Sequence, residues 1–118
     1  MDIVTIIRGE AETQPDRLAF ARLEAGEFVT YRQLIERVDR VVLWLTERGC
    51  QPGERCGLML TDGADFLASA LGILGAGLCL VPIATFLPEQ DKDFIVKAAG
   101  VHWLLREERR LFRMPFAG

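Results

Sequence analysis

Residues 74–104, LGAGLCLVPIATFLPEQDKDFIVKAAGVHWL, decide the fold of this chain. Gly75 and Gly77 close a helix, and Leu78–Val81 follows as an apolar strand stopped by Pro82. Glu89–Ala99 reads as a helix with an acidic start, its Phe94 and Ile95 turned inward, and Val101–Leu105 as a second apolar strand. Strands joined through a helix, with no hairpin turn between them, pair in parallel.

The segment before it extends the pattern. Arg55–Leu60 is a further apolar strand, and Thr61-Asp62-Gly63 turns it into a helix over Ala64–Ala76 that is apolar nearly all round. Two strand–helix–strand units sharing a strand predict a right-handed parallel sheet of three strands. Thr30-Tyr31-Arg32-Gln33 fits a capping box opening a helix that runs to about Arg48. Leu34, Ile35, Val38, Val41, Val42 and Leu45 give that helix one apolar face. Residues 3–13 form a weaker amphipathic helix with Ile3, Ile6 and Ile7 on one side, and Leu18–Leu23 with Phe28–Thr30 reads as a hairpin. The expected class is α/β: a small three-stranded parallel sheet with flanking helices and an N-terminal hairpin. Residues 1–105 make up this unit, and 106–118 read as a truncated linker.

Composition narrows the function. The 118 residues carry a net charge of −3, and Lys and Arg gather into no stripe, which argues against nucleic acid as a partner. Half the residues are hydrophobic, so some apolar surface is expected to meet a partner. No basic stretch precedes an apolar leader, and the apolar runs are too short to span a bilayer. The expected location is the cytoplasm. Cys50, Cys56 and Cys79 show no CxxC spacing, and with Cys79 inside an apolar strand they read as buried, reduced thiols. His102, the one histidine, has no companion ligand, so no metal site is expected.

Three motifs have a structural reading beside a functional one. Gly72, Gly75 and Gly77 lie at a helix C-terminus, the wrong pole for an anion, which favours close packing and a cap. Thr61-Asp62-Gly63 stands at the right pole, but Asp62 and Asp65 would repel a phosphate, so it reads as a helix cap. Thr85 and Phe86 follow the carboxyl end of a parallel strand, where open α/β sheets place ligands. The structural alternative there is a loop whose Phe packs on the core.

Four stretches carry a family likeness. They are Pro15-Asp16-Arg17-Leu18-Ala19-Phe20, Thr30-Tyr31-Arg32-Gln33-Leu34, the turn from Gly49 to Cys56, and Leu74–Pro82 followed by Phe86-Leu87-Pro88. In this order and spacing the chain resembles the opening of the adenylate-forming ligases: acyl-CoA synthetases, peptide-synthetase adenylation domains and luciferases. The resemblance implies that residues 1–105 are equivalent to the N-terminal subdomain of a larger ligase fold, and that the parent enzyme uses ATP and Mg²⁺ to activate a carboxylic acid as an acyl-adenylate. CoA or a carrier-protein pantetheine is then the implied acceptor. The family's phosphate loop, adenine shelf and lid lysine come later in its sequences, so no catalytic, cofactor-binding or metal-binding residue is expected here. The likeness places Thr85 and Phe86 on a wall of the acyl or pantetheine site. The expected partner is the remainder of the ligase chain or a self-associated copy. The rival expectation is a non-catalytic interaction module that docks through an open sheet edge.

Overall fold

The computed structural model describes residues 2–115. Helix α1 (Ile3–Thr13) leads into a two-stranded antiparallel hairpin, β1 (Leu18–Arg22) and β2 (Glu27–Thr30). Helix α2 (Tyr31–Glu47) follows at once. Thr30 Oγ1 accepts from the Gln33 N–H while Gln33 Oε1 accepts from the Thr30 N–H, so the capping box is formed in both directions. Then come β3 (Arg55–Met59), α3 (Ala64–Gly75), β4 (Cys79–Pro82), α4 (Glu89–Ala98), β5 (Trp103–Arg106) and β6 (Arg110–Arg113).

The main sheet has the order β4-β3-β5-β6. Strand β3 pairs in parallel with both β4 and β5. The chain steps from β3 to β4 on one side, then crosses back past β3 to β5. A constant right-handed crossover in opposite directions puts α3 and α4 on opposite faces. Packing agrees. Cys56 and Leu58 of β3 meet Ala70 and Ile73 of α3 together with Val41 and Leu45 of α2. Met59 meets Val96 of α4 with Ile83, Val101 and Leu104 on the other face. A third cluster joins Val29, Leu34 and Val38 to Ala64, Ala68 and Leu71.

The helices α2 and α3 approach closely because Gly72 has no side chain. A Cβ there would collide with Val41 Cγ1 and Cβ. The packing reading of this glycine therefore holds.

The sheet differs from expectation by one strand. Residues 106–113 are no linker: β6 pairs antiparallel with β5, from Trp103 opposite Arg113 to Arg106 opposite Arg110. Residues 116–118 of that expected linker lie outside the described residues. Two non-glycine residues, Glu108 (φ 63°) and Arg109 (φ 56°), adopt left-handed backbone at the hairpin tip. Such conformations cost about 1 kcal/mol each, so the hairpin needs an anchor. Glu54 provides it. Its carboxylate accepts from Trp103 Nε1 (2.9 Å), the Gln51 N–H (2.8 Å) and Arg113 Nη1 (2.7 Å), and the Arg113 guanidinium lies 4.9 Å over the Trp103 ring.

Three burial expectations are corrected. Phe94 points to solvent at 71% exposure, because α4 buries the Lys92–Val96 stripe instead. Helix α1 turns Val4, Ile7 and Ala11 to the core and leaves Ile3 and Ile6 half exposed. Cys79 is exposed, since it heads β4 at the sheet edge, whereas Cys50 and Cys56 are buried. His102 is structural: its Nδ1 accepts the Arg55 N–H at 2.9 Å.

Candidate functional site

Adjacent parallel strands whose outgoing connections leave on opposite faces open a crevice beyond their carboxyl ends. Strands β3 and β4 are such a pair. The turn after β3 and the loop after β4 border a cleft of about 600 Å³, lined by Arg22, Leu60, Thr61, Asp62, Phe66, Pro82, Ile83, Ala84, Thr85 and Phe86. The sequence-predicted pair Thr85 and Phe86 thus lies on this cleft. Thr85 is half-buried, and Phe86 is 87% exposed, so the alternative of a phenylalanine packed on the core is excluded.

The opposite wall is the turn Thr61–Gly63. It is not the self-capping helix start its sequence suggests, for Gly63 occupies the N-cap position and no local side chain bonds to the first turn. Three distant residues hold it instead. Glu27 of β2 accepts the Ala64 N–H (3.1 Å), Arg22 of β1 donates to the Asp62 carbonyl (2.9 Å), and Glu107 accepts both the Thr61 N–H (2.9 Å) and its hydroxyl (3.2 Å). Gly63 is required here by its backbone conformation. Its φ of +134° suits glycine, and a Cβ would stand 2.9 Å from Arg22 Nη1 and 3.3 Å from Glu27 Oε1.

Sequence reasoning missed Arg22, Glu27 and Glu107. Each lies 37 to 46 residues from its partner, and no local spacing signals such a bond.

The lining is apolar with two hydroxyls, one guanidinium and one carboxylate. It offers no nucleophile paired with a base. A triphosphate with its metal does not fit. The helix N-terminus beside the cleft is already capped by a carboxylate and flanked by Asp62 and Asp65, and no group of three His, Cys, Asp or Glu among the described residues could hold a metal ion. No described helix is long and apolar enough to cross a membrane.

The AMP-binding enzyme family matches over residues 7–113. The chain belongs to the AMP-binding enzymes. Bacitracin synthase 3 of Bacillus licheniformis is 32% identical over 114 residues, which are 97% of this chain and 2% of the synthase. The inhibitor-bound N-terminal domain of FACL13 from Mycobacterium tuberculosis superposes with a TM-score of 0.82 at 25% identity, covering 89% of this chain and 26% of that one. The N-terminal subdomain of Klebsiella oxytoca NpsA, in complex with 3-hydroxyanthranilyl-AMSN, shares the fold at 21% identity (TM-score 0.83; 90% of this chain, 27% of that one). This chain thus corresponds to the N-terminal part of the adenylate-forming ligases, and by itself it is a partial domain of that fold. It spans 2% of the curated synthase and about a quarter of the solved chains.

Proposed function

We propose that this chain is the N-terminal structural subdomain of a ligase that activates a carboxylic acid with ATP and passes the acyl group to a thiol. CoA or a carrier-protein pantetheine is the acceptor, and ATP and Mg²⁺ are held by the rest of the ligase. Thr85 and Phe86 form part of the wall along which the acyl or pantetheine arm lies. The observation that carries this reading is the cleft between the β3 and β4 exits, apolar through Leu60, Phe66, Ile83 and Phe86 and polar through Thr61 and Thr85. An amide-bearing aliphatic arm needs that mixture. Substrates of this kind place the reaction in the cytoplasm.

The test begins with the source gene past codon 118. A reading frame that continues into a Ser/Thr/Gly-rich loop ending in Lys-Gly, with carboxylate-dependent ATP–pyrophosphate exchange by its product, supports the proposal. Within that product, Phe86→Ala is expected to raise KM for the acyl or thiol substrate about 3–10-fold at unchanged kcat. A product that contains the loop yet exchanges no pyrophosphate with any carboxylate overturns it.

A second reading rests on β4, which borders the sheet with one side unpaired. An interaction module docking there predicts concentration-dependent dimerisation in sedimentation velocity.

A further inference from the structure

Two hairpins converge on one turn. The β1–β2 hairpin sends Arg22 and Glu27 to Asp62 and Ala64, and the β5–β6 hairpin sends Glu107 to Thr61. Thr61 and Asp62 are exposed. Water would satisfy their polar groups at no cost in side-chain freedom, so the Arg22 and Glu107 bonds add little to stability. What they do supply is a fixed geometry for one wall of the cleft.

Glu107 is the most informative of the three. It opens the hairpin tip whose next two residues, Glu108 and Arg109, hold left-handed backbone. Strain of this kind persists where the surroundings over-determine it, and it gathers at sites where a group must be aimed. The far end of the same hairpin is fastened by Arg113 to Glu54 and Trp103. A strained tip between an anchored strand and a bonded carboxylate is the build of a brace.

We infer that Glu107, with Glu27 and Arg22 opposing it, is a positioning residue that holds the Thr61–Gly63 turn in place as a wall of the ligand cleft. The inference rests on the proposed function for its purpose, but the holding of the turn can be measured without any ligand.

The test uses the 118-residue chain and the variants Glu107→Ala, Glu107→Gln and Glu27→Ala. Amide hydrogen exchange by NMR at Thr61 and Ala64 reports the turn, thermal unfolding reports global stability, and titration with pantetheine reports the cleft. Exchange at Thr61 is expected to rise about tenfold or more in Glu107→Ala, while Glu107→Gln, whose amide oxygen still accepts, stays near the parent. Glu27→Ala is expected to do the same at Ala64. Tm moves by less than about 4 °C in the Glu107 variants, as befits exposed hydrogen bonds, and further in Glu27→Ala, which strips the buried Ala64 N–H of its acceptor. Pantetheine then binds the loosened variants about 5–10-fold more weakly, since a misplaced wall loses contacts that depend on position.

Unchanged exchange at Thr61 in Glu107→Ala overturns the inference. So does a fall in Tm large enough to show that Glu107 serves the whole fold. If the parent binds no pantetheine while the exchange rates change as stated, the positioning role stands. The ligand assigned to the cleft is then what fails.

Discussion

Glu54 shows how much one carboxylate can gather. Partial burial pushes its pKa up, but the Trp103 indole N–H, the Arg113 guanidinium and the Gln51 amide outweigh that and bring it down from 4.5 to about 2. A carboxyl whose folded value lies below its unfolded one contributes stability that is present above pH 4.5 and is lost as pH falls toward 2. Urea unfolding followed across that window is expected to show a loss on the order of 2 kcal/mol in the parent, and a markedly flatter profile in Glu54→Gln. Gly72 makes the converse point, that an absent group can matter as much. With Val41 occupying the space a Cβ would need, Gly72→Ala is expected to cost about 1–3 kcal/mol in chemical denaturation. The role of Gly72 was legible in the sequence, because a glycine at the C-terminal end of an apolar helix has few reasons to be there other than close approach. Thr85 and Phe86 were legible as positions, through the rule that ligands gather where parallel strands end. Arg22, Glu27 and Glu107 were not. A charged residue in a hairpin reads as solvated until the turn it reaches is known.

At the scale of elements, periodicity and punctuation located five strands and four helices, and the errors have a common physical root. Helices α1 and α4 carry more apolar residues than one stripe can bury, so each admits two inward faces. Helices α2 and α3 selected Val4, Ile7 and Ala11 in α1, and the sheet selected Val96 with the stem of Lys92 in α4. Strand β6 escaped notice because Arg110 and Arg113 frame only two apolar residues, and because its hairpin turns through Glu108 and Arg109 where glycine or asparagine would have signalled it. The capping box of α2, by contrast, is written in two local residues and formed as read. Thr30→Ala removes one half of it and is expected to lower stability by about 1 kcal/mol in thermal or urea unfolding, with the effect largest in hydrogen exchange of the first turn.

For the whole molecule, its correspondence to a partial domain of the ligase fold gives a plain expectation. The purified 118-residue chain, offered ATP, Mg²⁺ and carboxylates, yields no pyrophosphate exchange above a blank. Its surface is nonetheless open, with Phe86, Phe94 and Leu43 each more than half exposed and both edges of the main sheet unpaired among the described residues. The thiols differ in the same spirit. Burial pushes Cys50 up to about 11, with Glu54 adding to it, and Cys56 up to about 12, with Cys50 adding to it. Cys79 alone is exposed. Native alkylation at neutral pH followed by intact-mass measurement is therefore expected to add one label, and denaturation to admit the other two.

That asymmetry equips the unmodified chain with a built-in reporter. Cys79 heads β4, the parallel border of the sheet, so a single spin label or fluorophore attached there sits beside the row of free backbone groups. Whatever comes to lie along that border, whether later residues of a ligase or another copy of this chain, will slow the label's tumbling and shield the thiol from reagent. The open side of the sheet can thus be watched as it closes, without a mutation.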